Sequence, residues 1–333
     1  MKAPKVWMVG LLLCFGAASA PASAQGEWVA QYNEERINKL FVMSAQVVWA
    51  VGEGRVLVTL DGGTNWQPTY KDDEKLATVI NDIMFIDTQN AWAVGSPGVV
   101  LQTSDSGRQW NQLQDIGHTD FQAVYFRDVE TGWIGGAEGR LLSTTNAGEK
   151  WNSSNFKFEQ GEDKDAQVIR AIAMASPTDA FMLVDHNQVL VSNNGGADWR
   201  QVRFPAGFEF HVLTTQGQTM WLAGSRRLTR TYNVAALMRS EDGGKSWQGV
   251  NSVNRLPAPI TSLYFAGAST TYLTAQGKVY VSRDGGSSWE QFSASSVPID
   301  KVYGADTENL WGLSDGAIYH YSTQPVAPPP SQP

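Results

Sequence analysis

The chain has 333 residues, of which 33 are acidic and 25 are lysine or arginine, so its formal net charge is −8. This acidic balance argues against a surface that binds nucleic acid or anionic lipid as a whole. Aromatic residues make up 11% and there is one cysteine, which is enough material for one large core but excludes an intrachain disulfide and a cysteine-rich metal site.

The first 24 residues have the pattern of an export signal. Two lysines precede an apolar run over residues 6–15, and the small residues 22–24 form a cleavage site. The pattern predicts cleavage after Ala24 and a periplasmic or otherwise exported protein. The run is too short to span a membrane, and no later segment is a candidate. Cys14 lies inside the signal, and Leu13 disfavours lipid attachment because a small residue is needed before the cysteine.

One eight-residue pattern recurs six times along the chain. Each copy has Ser or Thr first, Asp or Asn third, Gly fifth and Trp eighth, and the tryptophans are 41 to 48 residues apart. In the clearest copy, Ser282 to Trp289, β-prone residues flank Asp-Gly-Gly, which predicts a hairpin turn. The hydroxyl and the carboxylate are expected to bond the turn's backbone N–H groups, and the Trp ring is expected to lie over its own hairpin. The third and eighth positions are Asp61 and Trp66, Asp105 and Trp110, Asn146 and Trp151, Asn194 and Trp199, Asp242 and Trp247, and Asp284 and Trp289.

The spacing between copies matches one four-stranded propeller blade. Seven apolar second strands, such as Val48 to Gly52, accompany the six turns, and the last unit lacks an outer strand. Glu27 to Ala30 supplies the missing strand from the other end of the chain. The sequence therefore predicts an all-β, monomeric, seven-bladed β-propeller over residues 25–323, closed by the N-terminal strand so that no sheet edge is free. The Pro-rich tail, residues 324–333, is expected to be disordered.

Strand order places the loops on two faces of the predicted propeller. The eight-residue turns share one face, and the connections between blades share the other with the loops between second and third strands. On this second face the fifth unit has an unusually long loop, from Gly224 to Ser240, which contains Arg226, Arg227 and Arg230. Three arginines concentrated in an acidic protein suggest a contact for carboxylates or another anion. The alternative is a solvated loop whose arginines pair with neighbouring acids.

A ring of polar residues is predicted at the mouth of the central channel on the same face. Each inner strand begins with an apolar residue followed by a polar one, and propellers usually bind ligands where such positions meet. The alternative is that these groups form hydrogen bonds between blades and line only water. Arg170, His211 and Asp300, with the three arginines of the loop, are the candidate partner-binding residues. The whole polar ring comprises Asn38, Asn81, Gln122, Arg170, His211, Thr261 and Asp300.

The usual catalytic and metal-binding signatures are missing from the sequence. There is no phosphate-binding glycine loop and no Gly-x-Ser-x-Gly elbow. Six equivalent Asp or Asn turns spaced around a rim cannot converge on one substrate, so their role is predicted to be structural. We therefore expect a non-catalytic protein without a metal or cofactor. The histidines, which fall in separate units without metal-ligand spacing, are His118, His186, His211 and His320.

The eight-residue pattern is the Asp box, also called the bacterial neuraminidase repeat. The longer string from Trp92 to Trp110, Trp-Ala-Val-Gly-x-x-Gly-x-Val-x-x-Thr-x-Asp-x-Gly-x-x-Trp, together with seven units and an export signal, closely resembles the photosystem II stability and assembly factor family. The resemblance implies a seven-bladed propeller of the lumen or periplasm that helps assemble the reaction centre by binding a newly made membrane subunit. The family is also associated with an arginine-rich surface, for which the arginine loop is the candidate here.

Glycan-binding or glycan-hydrolysing propellers of the sialidase type also carry Asp boxes and are the alternative. Sialidases have six blades and an Arg-Ile-Pro motif that this chain lacks, and xyloglucan-cleaving enzymes pair two propellers. The resemblance therefore favours a non-catalytic exported scaffold or assembly factor. Its expected partner is a protein subunit of a membrane complex.

Overall fold

A computed structural model describes residues 26–72, 77–113, 116–156, 167–185, 187–293 and 297–322. The predicted signal with Cys14, the predicted tail and His186 lie outside the described residues. The boundaries at residues 24 and 324 therefore stay predictions.

The described chain forms seven antiparallel sheets of four strands each, and each sheet is one blade. Blade 1 contains β2 Ile37–Val42, β3 Val48–Gly52, β4 Arg55–Thr59 and β5 Gln67–Lys71; blade 2 contains β6 Val79–Phe85, β7 Ala91–Ser96, β8 Val99–Thr103 and β9 Asn111–Gln112. Blade 3 contains β10 Phe121–Phe126, β11 Gly132–Gly136, β12 Arg140–Thr144 and β13 Asn152–Asn155; blade 4 contains β14 Ile169–Met174, β15 Ala180–Val184, β16 Gln188–Ser192 and β17 Arg200–Val202.

Blades 5 and 6 follow the same strand order, and blade 7 is built from both ends of the chain. Blade 5 contains β18 Phe208–Gln216, β19 Thr219–Arg227, β20 Asn233–Ser240 and β21 Gln248–Gly249; blade 6 contains β22 Ile260–Phe265, β23 Thr271–Ala275, β24 Lys278–Ser282 and β25 Glu290–Gln291. Blade 7 contains β26 Lys301–Gly304, β27 Leu310–Ser314, β28 Ala317–Ser322 and β1 Glu27–Tyr32. Two short 3₁₀ helices, Ala137–Gly139 and Asn251–Arg255, lie between strands. The prediction of an all-β, seven-bladed propeller is confirmed.

The N-terminal strand closes the ring, as the sequence predicted. β1 pairs antiparallel with β28, with Trp28 opposite Tyr321. The Trp28 indole is buried, lies 5.4 Å from the Tyr321 ring, and donates a hydrogen bond from Nε1 to Ser293 Oγ at 3.2 Å. Trp28 also packs with Tyr272 and Val281 of blade 6, so it takes the position that the turn tryptophan occupies in the other blades.

Neighbouring blades are joined by aromatic contacts between the second strand of one blade and the eight-residue turn of the next. Trp92 of β7 is fully buried, and its ring lies edge-on to Trp151 of blade 3 at 5.7 Å. Gly148 of the same turn has a φ of 82°, and a Cβ at this position would overlap the Trp92 ring. Glycine is therefore required both for the backbone conformation and for the close approach. Equivalent pairs are Trp49 with Trp110, and Trp311 with Trp66.

These pairs differ from the expected packing of each tryptophan over its own hairpin. The rings of Trp66, Trp110 and Trp151 lie instead edge-on to a buried indole of the preceding blade, a favourable arrangement for two aromatic rings. Trp199 is nearer to the expectation, since its Nε1 donates to Gly196 O of its own turn at 3.0 Å.

Each eight-residue turn has the same internal hydrogen bonds. In the sixth copy Asp284 Oδ1 accepts from Ser282 Oγ at 2.7 Å and from the Ser288 backbone N–H at 2.9 Å, while Ser282 Oγ accepts from the Gly286 N–H at 2.8 Å. The bond from the first residue to the third recurs in the other five turns. Donors that favour the charged carboxylate, with the Ser288 hydroxyl foremost, lower the pKa of Asp284 to about 2. The Ser246 hydroxyl and N–H likewise lower the pKa of Asp242 to about 2.

We expect deletion of residues 25–32 to destabilise the whole propeller. The deletion removes the partner of β28 and the buried Trp28, and loss of a buried Trp side chain alone costs roughly 3–5 kcal/mol. The melting temperature, followed by circular dichroism, should fall by about 10 °C or more. Deletion of residues 324–333, the predicted tail, is the control and should leave melting unchanged. Unchanged melting after loss of residues 25–32 would contradict closure by β1.

Acid should lower the stability that Asp242 and Asp284 contribute through their eight-residue turns, and it should do so over a defined range of pH. Asp242 and Asp284 have folded-state pKa values of about 2, below the value of about 3.9 for an unfolded Asp. Their stabilisation is therefore present above about pH 4 and is lost as the pH falls toward 2. Asp242→Asn with Asp284→Asn should make the melting temperature less dependent on pH between about 4 and 2. Asn146 and Asn194, which occupy the same position in blades 3 and 4, show that an amide fits the turn. If the melting temperature of the double variant depends on pH as it does in the unaltered protein, these two carboxylates do not cause the loss of stability in acid.

Candidate partner-binding site

The inner strands of the seven blades surround a central channel of about 550 Å³. Each inner strand starts on the face that holds the connections between blades, called the connection face, and ends on the face that holds the eight-residue turns, called the turn face. The channel wall is polar near the connection face, where Gln122 and Arg170 lie, and becomes aromatic further in, at Phe41, Tyr264 and Tyr303. A ligand entering from the connection face therefore meets charged and amide groups first.

Residues of the polar ring sit at β-bulges. In blade 1, Ile37 pairs with Gly52 and Lys39 pairs with Val51, so Asn38 is the extra residue. The same one-residue shift occurs at the ring position of blades 2 to 6. A bulge bends the strand and re-aims the side chain of the extra residue. The sequence predicted the polar position but not the bulge that orients it.

Ring residues of blades 1, 2 and 6 form hydrogen bonds to the inner strand of the next blade. Asn38 Nδ2 donates to Ile80 O at 3.0 Å, and Asn81 Nδ2 donates to Phe121 O at 2.8 Å. Thr261 Oγ1 donates to the backbone carbonyl of Asp300 at 2.8 Å. At these three positions the polar side chains therefore form hydrogen bonds between blades, which is the alternative to ligand binding that the sequence left open. The Asp300 carboxylate accepts from the Asp315 N–H of its own blade at 3.2 Å.

The ring residues of blades 3 to 5 are arranged differently from those of blades 1, 2 and 6. Gln122, Arg170 and His211 line the channel on three successive blades. Arg170 is 40% exposed, and its Nη2 lies 3.8 Å from Asp185 Oδ1, a separation at which an exposed ion pair contributes little. Within the described residues, neither Gln122 nor Arg170 donates a hydrogen bond to the backbone of the next blade. Because both side chains line the channel, they are the candidate ligand contacts at its mouth.

A second ring of charged residues, which was not predicted from the sequence, lies one position further along the inner strands. Lys39 Nζ lies 3.3 Å from Asp82 Oδ1, and the carboxylate raises the pKa of Lys39. Asp82 Oδ2 also accepts from the Val124 N–H at 3.0 Å, and Lys301 Nζ donates to Asn38 O at 2.9 Å. These charges tie adjacent blades together across blades 7, 1, 2 and 3. The sequence does contain a signal for these charged residues. Lys39, Asp82 and Lys301 occupy equivalent positions, because each directly follows a residue of the polar ring.

The predicted arginine loop is instead a long β-hairpin. β19 and β20 continue past the ends of the other blades and pair up to Arg227 opposite Asn233, and β18 is lengthened to pair Phe208 with Arg226. Most of the segment that the sequence analysis described as a long loop, Gly224 to Ser240, is therefore paired strand, and the turn covers residues 228–232. The physical reason is that an extra partner strand, the first part of β18, satisfies the backbone of β19 on its second edge.

The hairpin separates the three arginines into two groups. Arg226 lies over the Phe208 ring at 5.4 Å, and Arg227 Nη2 donates to Glu209 Oε1 at 3.0 Å. These two belong to the part of the hairpin beside β18, the strand that carries His211. Arg230 lies in the turn at the tip, between Leu228 and Tyr232, and all three tip side chains are exposed. The connection face thus carries the hairpin and the ring residues of blades 3 to 5 together.

No cluster of three or more metal-ligating side chains occurs within the ranges that the structure describes. The helices there are also too short to cross a membrane.

The fold and the site together define the class of this protein. It is a seven-bladed β-propeller that is closed by its N-terminal strand and carries a basic hairpin beside the channel mouth. The family model described as "Photosynthesis system II assembly factor YCF48" matches residues 23–118 and 158–323. Since these segments make up most of the chain, the chain belongs to this family, and the resemblance seen in the sequence is confirmed.

Two relatives and two solved structures show the range of similarity. The chain is 30% identical over 124 residues to the photosystem II assembly lipoprotein Ycf48 of Synechococcus sp. (strain CC9902) and 24% identical over 121 residues to the chloroplastic photosystem II stability/assembly factor HCF136 of Oryza sativa subsp. japonica. The matches cover 36% and 34% of this chain but only 35% and 27% of those relatives. A structure described as YCF48 bound to D1 peptide is 18% identical with a TM-score of 0.69, covering 92% of this chain and all of that one. YCF48 from Cyanidioschyzon merolae is also 18% identical, with a TM-score of 0.68 and coverage of 89% and 98%. At such identity these structures show the fold alone.

Proposed function

We propose that this chain is a non-catalytic, exported assembly factor that binds a polypeptide segment of a membrane-protein client on its connection face. The observation that carries the proposal is the placement of the basic hairpin next to the ring residues of blades 3 to 5, in a chain of this assembly-factor family. The similar structure described as YCF48 bound to D1 peptide supports a peptide as the kind of ligand that such a propeller accepts. The predicted export signal supports an exported place of action.

The charges of the site favour an anionic segment. Arg226 and Arg227 present planar donor groups beside the mouth, and Arg170 adds a third guanidinium within the channel wall. Guanidinium groups match the geometry of carboxylates with paired N–H donors. The chain as a whole carries a net charge of −8, so an acidic segment is repelled by most of the surface and attracted to this part of it. We also include His211, which lines the channel on blade 5, and Asp300, the ring residue of blade 7, as groups that set the polarity of the mouth.

Charge reversal tests the proposed surface. Arg226→Glu, Arg227→Glu and Arg230→Glu together should leave folding intact, because all three side chains are exposed, and should abolish recovery of the client from solubilised membranes. Binding by the unaltered protein should weaken as salt rises, since exposed charges are screened.

A matched control is available on the turn face. Arg108, Lys150 and Lys245 are exposed residues of three eight-residue turns, and their reversal to Glu changes the net charge by the same amount. This control variant should recover the client at the level of the unaltered protein. Equal recovery by the hairpin variant would show that the arginines are solvated groups and that the client binds elsewhere.

Glycan hydrolysis is the rival function, and an assay separates the two. The GH74 xyloglucanase from Xanthomonas campestris has a TM-score of 0.66 to this chain at 12% identity, covering 91% of this chain and 55% of the enzyme, which establishes a shared fold only. Incubation with sialosides and with xyloglucan should release no sugar product. Turnover that disappears in Arg170→Ala or Asp300→Asn would overturn the scaffold proposal and locate a catalytic site in the channel mouth.

A further inference from the structure

The tip of the blade 5 hairpin projects beyond the body of the propeller. β19 and β20 have nine and eight residues, whereas the second and third strands of the other blades have five or six. Three extra residues at about 3.3 Å each extend the hairpin by about 10 Å on the connection face. Among the residues that the structure describes, the lengthened end of β18 and Gly207 just before it lie beside this projection.

Two large apolar side chains are exposed at this tip. Leu228 is 50% exposed and Tyr232 is 57% exposed. Both flank a tight turn in which the N–H groups of Leu228 and Thr229 donate to Tyr232 O at 3.0 and 3.3 Å. These backbone hydrogen bonds close the turn, so Leu228 and Tyr232 lie next to each other at the end of the hairpin. Exposed apolar groups concentrated in this way mark a contact surface, since removing them from water is favourable.

The charge of the tip is opposite to that of the protein. Residues 226 to 233 contain three arginines and no acid, and the acid that meets them is Glu209, which pairs with Arg227 near the base. Arg230 lies between the two apolar residues with its side chain exposed. The tip thus combines an aliphatic side chain, a tyrosine and guanidinium groups, whereas the chain as a whole is acidic.

We propose that this hairpin tip docks on the surface of an anionic phospholipid bilayer. Leu228 enters the boundary between headgroups and acyl chains, Tyr232 lies at the headgroup level with its hydroxyl in water, and Arg230 binds lipid phosphates. A convex, two-stranded tip has no concave surface with which to enclose a protein partner, whereas a fluid and flat bilayer accepts it without a pocket. Because the chain as a whole is acidic, an anionic membrane attracts this basic end most strongly, and the connection face is turned toward the lipid. This membrane contact is additional to the client-binding function proposed above.

Flotation of the purified protein with lipid vesicles tests the inference. Vesicles of phosphatidylglycerol and phosphatidylcholine should carry the protein upward, and vesicles of phosphatidylcholine alone should carry much less. Leu228→Ser with Tyr232→Ser should lower the partition into the anionic vesicles about tenfold, as expected for two partly buried apolar side chains. Leu60→Ser is the matched control, since Leu60 is 65% exposed but lies in a turn on the opposite face, and it should bind like the unaltered protein. Melting curves of all variants should coincide.

Three results would overturn the inference. Equal flotation with and without phosphatidylglycerol would show that the protein is not attracted to anionic lipid. Full flotation of the Leu228→Ser, Tyr232→Ser variant would show that the tip does not contact the membrane. Loss of client recovery in that variant, with no vesicle binding by the unaltered protein, would assign the tip to a protein contact instead. The variant keeps all three arginines, so its result is independent of the charge-reversal test of client binding.

Discussion

The propeller depends on the contact between an aromatic side chain in the second strand of one blade and the tight turn of the blade that follows. The turn brings a glycine against the indole, as Gly148 lies against Trp92, and its own tryptophan covers the edge of the same ring. The Thr144 hydroxyl and the Asn146 side-chain amide inside this turn keep the backbone compact enough for this approach. Since Trp311 of blade 7 meets Gly63 of blade 1 in the same way, the contact also helps to close the ring.

A second set of interactions runs around the channel and explains why many of its polar groups do not mark a binding site. Asp82 accepts from the Val124 N–H, and Ser262 Oγ both accepts from the Val302 N–H and donates to Val302 O. These side chains replace the backbone partners that the inner edge of a blade lacks, so they are needed for the fold. Within the ranges that the structure describes, this bonding is interrupted at Gln122 and Arg170, and the proposed ligand site includes these two residues.

The two faces of the propeller differ in how much they depart from sevenfold repetition. The turn face repeats one hydrogen-bonded motif in six blades, so it offers a partner six similar positions and no means of choosing among them. The connection face is asymmetric, because blade 5 alone extends its hairpin and places Arg226 and Arg227 beside the mouth. A protein partner needs such asymmetry to bind in one orientation. The same hairpin ends in Leu228 and Tyr232, so one insertion supplies both the charged surface and the apolar tip.

The sequence by itself determined the number of blades, the strand order and the closing strand, because each follows from a local pattern that recurs at a fixed spacing. The pairing of β1 with β28 was predictable for the same reason, since one unit lacked a strand that the N-terminus could supply. Only the tertiary structure decided which blade each tryptophan packs on, because that contact joins residues about 60 apart, such as Trp49 and Trp110. The bulge at Asn38 and the pairing of Lys39 with Asp82 likewise depend on the register between strands and on the approach of a neighbouring blade. The arginine hairpin had the composition of a loop, and it became a strand pair because the lengthened end of β18 lies alongside it.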